Sequence, residues 1–178
     1  MEDDDHLWVF GYGSLVWNPG IAVAETRRAT LADFRRSFCM WSIHHRGTEA
    51  DPGLVLALEP HDGASCTGLA IRALDREAAL AALRERELIS SAYFEQEVTL
   101  LCEHGSAIRS LAYVVNTDHR QYTGPLALEE QARIIAHASG GRGPNWEYLT
   151  RTAEGLHALG IGDDALDWLV TRVQQIRG

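Results

Sequence analysis

A chain of 178 residues with 46% apolar content can bury a sizeable core, and it reads as one folded domain spanning 1–178. Its net charge of -9 argues against a nucleic-acid partner, whose phosphates require a basic face. All 16 basic residues are arginines, which excludes a Walker-type phosphate loop and pyridoxal-type Schiff-base chemistry, since both need lysine.

Taken in chain order, the acidic start Met1-Glu2-Asp3-Asp4-Asp5 is the opposite of a secretory signal and reads as a frayed tail. The apolar run 7–12 follows as a buried strand that breaks into Gly11-Tyr12-Gly13-Ser14. Such a break either exposes backbone N–H groups to an oxyanion or carboxylate, or is only a turn. Alternating or apolar runs at 22–31, 36–44, 54–58 and 66–72 are read as strands. Asp75 then N-caps a helix rich in alanine and leucine that runs to about Leu88. Two more strands are expected at 94–102 and 108–116. The last third is helical: 126–138, stopped by Gly140-Gly141; 145–159; and a third helix after Asp163-Asp164 with Leu166, Leu169, Val170 and Val173 on one face.

This pattern is α+β, a small and mostly antiparallel barrel-like sheet with helices gathered towards one end. No apolar run approaches the ~20 residues of a membrane span, so no membrane partner is expected. Cys39, Cys66 and Cys102 are odd in number and lie in or beside apolar segments, as buried thiols in a reducing cytoplasm would. No Cys-X-X-Cys or His-X-X-X-His pairing points to a metal.

Glu87 stands out on helix geometry. At ~100° per residue it projects between Leu80 and Leu83, whereas Glu85 points ~140° away from Leu80 towards the polar side. One carboxylate is thus aimed at the apolar interior, where burial raises its proton affinity towards the range useful for acid–base work. The other reading is that Arg86 or another arginine pairs with it structurally. The histidines form no triad: His44 and His45 are adjacent and would face opposite ways on a strand. Ser14 lacks the Gly-X-Ser-X-Gly context of an activated nucleophile.

Five segments follow in order. They are Phe10-Gly11-Tyr12-Gly13-Ser14-Leu15 with Trp17, and His45-Arg46-Gly47-Thr48 with Pro52-Gly53. Arg86-Glu87 followed by Tyr93, Tyr122-Thr123-Gly124-Pro125, and Asn145-Trp146-Glu147-Tyr148-Leu149 complete the set, which resembles the ChaC-type γ-glutamylcyclotransferases. Two departures stand beside the matches: Ser91-Ala92 replaces a usual pair of glycines before Tyr93, and Gly141-Arg142 stands where Pro-Ser is common.

The resemblance implies a catalytic acid/base at Glu87 and a substrate pocket drawing on Val9, Phe10, Gly11, Tyr12, Gly13, Ser14, Leu15, Arg46, Tyr93 and Tyr148. Arg46 is either a bidentate partner for a substrate carboxylate or a loop anchor. Tyr113 reads as strand interior. The implied activity is cofactor-independent cyclisation of the γ-glutamyl group of glutathione, releasing 5-oxoproline and cysteinylglycine in the cytoplasm. Segments 45–48 and 145–149 are expected to shape the pocket beyond the glutamyl group. Alternatives are a cyclotransferase for other γ-glutamyl amino acids or amines, or a non-catalytic module binding a small acidic metabolite.

Overall fold

The computed structural model describes residues 5–88 and 90–178; the acidic start at 1–4 lies outside them. The chain folds as two compact units. The first runs up to Arg36 and resumes over Leu58–Asn116; the second comprises Ser37–Ala57 and Thr117–Gly178.

The first unit is built on a closed barrel of five strands in the order β1-β3-β2-β4-β5, with β3 also pairing β5. These are β1 (Trp8–Gly11), β2 (Val23–Ser42), β3 (Gly53–Ala73), β4 (Tyr93–Cys102) and β5 (Ala107–Val115). The barrel is mixed: β1 is antiparallel to β3 but parallel to β5 at Val9↔Leu111, and β3 is parallel to β5 at Leu58↔Val114. Trp8, Phe10, Tyr12, Leu58, Leu100 and Val114 belong to its core. Burial of each such side chain is worth roughly 1.5–3 kcal/mol.

The sequence suggests four strands across 22–72, and the structure has two long ones. The apparent breaks are bends inside continuous strands. At the first, Asp33 adopts φ 64; at the second, Gly63 adopts φ 81 and donates its N–H to Asp33 Oδ1 at 3.0 Å. Asp tolerates the left-handed region better than most residues, and Gly meets no Cβ penalty there. Polar and glycine-rich composition at these points marks a change of strand direction, which is easily taken for a loop.

Helix α1 (Ser14–Trp17) is a single turn directly after β1, and α2 (Arg76–Glu87) precedes β4. The α2 N-cap is Asp75, whose carboxylate accepts from Ala78 N at 3.0 Å. In the second unit, α3 (Leu128–His137), α4 (Asn145–Ala158) and α5 (Asp164–Arg177) pack on one another, with Leu166, Leu169 and Val173 buried as the periodicity requires. The Gly140-Gly141 stop is one side of a short hairpin, β6 (Ser139–Gly140) against β7 (Gly143–Pro144).

Candidate functional site

Strand β1 is buried along its whole length and delivers the chain into α1 at Gly13. The turn is closed by Val16 N bonding Gly13 O at 3.0 Å and Asn18 N bonding Ser14 O at 2.7 Å. Leu15 is buried and Ser14 partly exposed. Arg36 holds the loop's entry, donating Nη1 to Tyr12 O at 2.7 Å and Nη2 to Thr67 O. The Tyr12 side chain joins the barrel core, and its hydroxyl donates to Tyr113 O at 3.0 Å.

Glu87 is the last residue of α2. Ala79 and Leu83 form the buried stripe of that helix, and the Glu87 side chain lies beside the stripe with 15% of its surface exposed, whereas Glu85 is exposed. The neighbouring Arg86, 22% exposed, places Nε 3.4 Å from Glu87 Oε1. It also donates Nη2 to Ser14 Oγ at 2.8 Å and Nη1 to Asn18 O at 2.6 Å. The structure therefore brings Ser14, Arg86 and Glu87 together. Glu87 Oε1 thus faces a guanidinium.

The two residues before Tyr93 are pinned from Asn116, just past the end of β5. Asn116 N bonds Ala92 O at 2.8 Å, and Asn116 Nδ2 bonds Ser91 O at 2.9 Å. Position 92 is buried, so alanine there occupies space that a glycine would leave open. Tyr93 opens β4 opposite Val115 and is half-buried.

Three further residues of this unit escaped the sequence reading as site neighbours. Tyr113, 1% exposed, donates its hydroxyl to Glu95 Oε1 at 3.1 Å, and Arg84 Nη2 donates to Glu95 Oε2 at 3.1 Å. Burial first, then the Glu95 carboxylate and the charge of Glu87, push the Tyr113 phenol well above its ordinary pKa, so it stays a neutral donor. Tyr113 is strand interior, as its sequence context implies, yet it also feels the Glu87 charge. Hairpin register could have found this array: a tight turn around Gly105 sets Glu95 opposite Tyr113 on antiparallel strands.

The second unit holds Arg46 and Tyr148. Arg46 has a 6% exposed side chain, donates Nη1 to Pro144 O at 3.1 Å, and lies 3.7 Å from Glu147 Oε1. Its guanidinium carbon sits 5.8 Å from the Tyr148 ring centroid. Burial is the main cause lowering its pKa. The Tyr148 hydroxyl accepts from Leu56 N at 3.2 Å, while Asn145 clamps Leu54 by accepting from its N–H and donating to its carbonyl, both at 2.8 Å. Gly47, Gly53 and Gly140 cross here backbone to backbone; a Cβ at 140 would stand 2.6 Å from Gly47 N. Arg46 thus meets a main-chain carbonyl, the Glu147 carboxylate and the Tyr148 ring, while Asn145 and Tyr148 bond main-chain groups of Leu54 and Leu56.

Among the described residues no cluster of His, Cys, Asp and Glu could hold a metal, and no helix is long and apolar enough to cross a membrane.

This barrel-and-helix architecture is that of the γ-glutamylcyclotransferase fold. A yeast γ-glutamyl cyclotransferase specific to glutathione superposes with a TM-score of 0.88 at 23% identity, covering 97% of each chain. Another γ-glutamyl cyclotransferase gives 0.61 at 17% identity, covering 93% of this chain and 86% of its own. The sequence profile of the ChaC-like proteins matches residues 7–176, and the chain belongs to that family. It is 34% identical over 176 residues to the glutathione-specific gamma-glutamylcyclotransferase of Escherichia coli K12, covering 98% of this chain and 75% of that protein. It is also 35% identical over 164 residues to glutathione-specific gamma-glutamylcyclotransferase 1 of Homo sapiens, covering 89% and 73%.

Proposed function

We propose that this chain is a γ-glutamylcyclotransferase acting on glutathione, with Glu87 as its acid/base. The observation that carries the reading is the largely buried Glu87 carboxylate, joined through one guanidinium to the Ser14 end of the loop that follows β1. The named activity of the E. coli and human relatives supports the choice of substrate.

The chemistry needs no protein nucleophile. The α-amine of the glutamyl residue attacks its own γ-carbonyl, and tethering supplies the proximity that two separate reactants would lack. Glu87 accepts a proton from the α-ammonium. The new C–N bond closes the five-membered ring, negative charge develops on the γ-oxygen, and backbone N–H groups around Gly13-Ser14 meet it. As the tetrahedral centre collapses, the bond to the cysteinyl nitrogen breaks. The proton held by Glu87 passes to that leaving amine; the freed carboxylate then takes the second proton from the ring nitrogen and hands it to the same amine, giving 5-oxoproline and cysteinylglycine as its ammonium with the carboxylate restored. In this reading Val9, Phe10, Gly11, Tyr12, Gly13, Ser14 and Leu15 form the cradle, and Tyr93 lines it. Three buried cysteines, none in a disulfide, fit a cytoplasmic setting.

The test is direct: purified protein is incubated with glutathione and 5-oxoproline is measured. Release of 5-oxoproline that disappears in Glu87→Gln supports the reading. A protein that binds glutathione without releasing 5-oxoproline would be a binding module instead.

A further inference from the structure

We propose that Arg86 is a positioning residue, a guanidinium clamp that fixes the one-turn helix α1 against the Glu87 carboxylate. The inference rests on the reading of Glu87 as acid/base.

The geometry assigns three of the five guanidinium donors. Nη2 grips the hydroxyl of Ser14, the first residue of α1, and Nη1 grips the carbonyl of Asn18, the residue after its last, at 2.8 and 2.6 Å. Nε faces Glu87 Oε1 at 3.4 Å. The planar fork fixes the angles between these contacts, so one rigid group spans both ends of the helix and the carboxylate. Lysine presents a point charge on a flexible stem and cannot hold all three directions at once.

Helix α1 has reason to need such a clamp. At four residues it is far too short to hold itself together. No side chain caps its N-terminus, and beyond the two backbone bonds that close it Leu15 is its one buried residue. Gly20 leaves the space for the clamp: its φ is +67, and a Cβ there would stand 3.2 Å from Arg86 Nη1. The separation from Glu87 is longer than an ordinary charged hydrogen bond, which suits orientation of a carboxylate that must take and return a proton. The contribution of Arg86 is the distance between the loop that carries the carbonyl and the group that moves the proton. A misplacement of about 1 Å is enough to cost on the order of a hundredfold.

The experiment compares wild type with Arg86→Ala, Arg86→Lys and Ser14→Ala, each checked for folding by thermal melting. Hydrogen exchange of the Val16 and Asn18 amides, which close α1, reads the clamp without reference to activity. Arg86→Ala should accelerate their exchange at least about tenfold while leaving the β4–β5 amides unchanged; equal exchange would overturn the clamp. With glutathione as substrate, Arg86→Ala should lower kcat/KM by about a hundredfold, with most of the loss in kcat. Arg86→Lys should recover only part of it, and added guanidinium should rescue Arg86→Ala where methylammonium does not. Rescue by both cations, or full activity in Arg86→Lys, would overturn the fork geometry. The Arg86→Ala/Ser14→Ala double variant should lose less than the two single losses combined, since both cut the same tether; a fully additive loss would count against it. A wild type that releases no 5-oxoproline would sink the Glu87 reading and the catalytic purpose of the clamp together, while the exchange measurement still decides whether the clamp exists.

Discussion

Two arginines, Arg86 in the first unit and Arg46 in the second, belong to segments that look equally diagnostic in the sequence, yet their guanidinium groups meet different partners. Arg46 is the more buried, and its partners are Pro144 O, the Glu147 carboxylate and the face of Tyr148. Around it Gly47, Gly53 and Gly140 bring backbone against backbone with no room for a side chain. Arg86 is more exposed and reaches a serine hydroxyl, the end of a one-turn helix and a carboxylate that can exchange protons. The first environment is built to be immobile. The second joins a loop to a carboxylate. A guanidinium's role is therefore read from what its donors meet, and not from its depth.

The largest expected effect is on the Arg86 side of this contrast. Glu87→Gln keeps the size and shape of the side chain beside the Leu83 stripe, so the melting temperature should stay close to wild type. It removes the group proposed to accept the α-ammonium proton and return it. A single acid–base group contributes about 10²–10⁴-fold, and this one acts twice, so kcat should fall at least about a thousandfold. Retention of more than about a tenth of the wild-type kcat would be too small a loss for a missing acid–base group. The proton-transfer role would then belong elsewhere.

Next in size is a change on the Arg46 side that should act on stability alone. Gly140→Ala drives a Cβ to 2.6 Å from both Gly47 N and His45 C, atoms of the main chain that cannot swing aside. Overpacking of this kind costs typically 1–3 kcal/mol, and rigid backbone puts it at the upper end, about 3 kcal/mol in urea titration. Arg46→Lys is milder. It loses the bond to Pro144 O and weakens the approach to Glu147, for about 1–2 kcal/mol, with kcat/KM of the folded enzyme unchanged. An Arg46→Lys variant of wild-type stability whose KM for glutathione rose tenfold would reverse the contrast and make Arg46 a substrate ligand.

How far the sequence discloses this can be argued from particular residues. Glu87 was legible because a helical period places it beside Leu83, and one period suffices to assign a face. The strands at β1, β4 and β5 were legible from apolar runs with clean ends. Helix α1 was not, because four residues are too few to display any period. The continuity of β2 and β3 was hidden by Asp33 and Gly63, whose composition is that of a turn although they only bend a strand. The Glu95–Tyr113 contact was hidden for another reason: it depends on register between two strands, which no single segment contains. Arg46 and Arg86 could not be separated in advance, since both stand in segments that match the same family. Their partners lie far along the chain, at 144 and 147 for one and at 14 and 18 for the other.

Tyr113→Phe gives the smallest expected change and tests how far the reactive environment around Glu87 extends. The ring is fully buried, and phenylalanine fills the same space. Glu95 keeps its bidentate partner Arg84, so no carboxylate is stranded. The loss of one hydrogen bond should cost about 1 kcal/mol at pH 7 and at most a few-fold in kcat. The cost should depend on pH, and its direction follows from the raised phenol pKa. In the unfolded chain a tyrosine ionises from about pH 10, whereas in the folded protein burial and the two glutamates hold the proton longer. The stability Tyr113 contributes is therefore complete below about pH 10 and drains away as the pH rises towards the folded pKa. Phenylalanine has no proton to lose, so the variant should be slightly less stable than wild type at pH 7, and the gap should close above pH 10. Urea midpoints at pH 7 and pH 10.5 measure both limbs. A gap that widened at the higher pH would show that the phenol ionises more readily in the folded protein than in the unfolded chain. A hundredfold fall in kcat, far beyond one neutral hydrogen bond, would instead move Tyr113 from a neighbour of the Glu87 charge into the proton-transfer machinery.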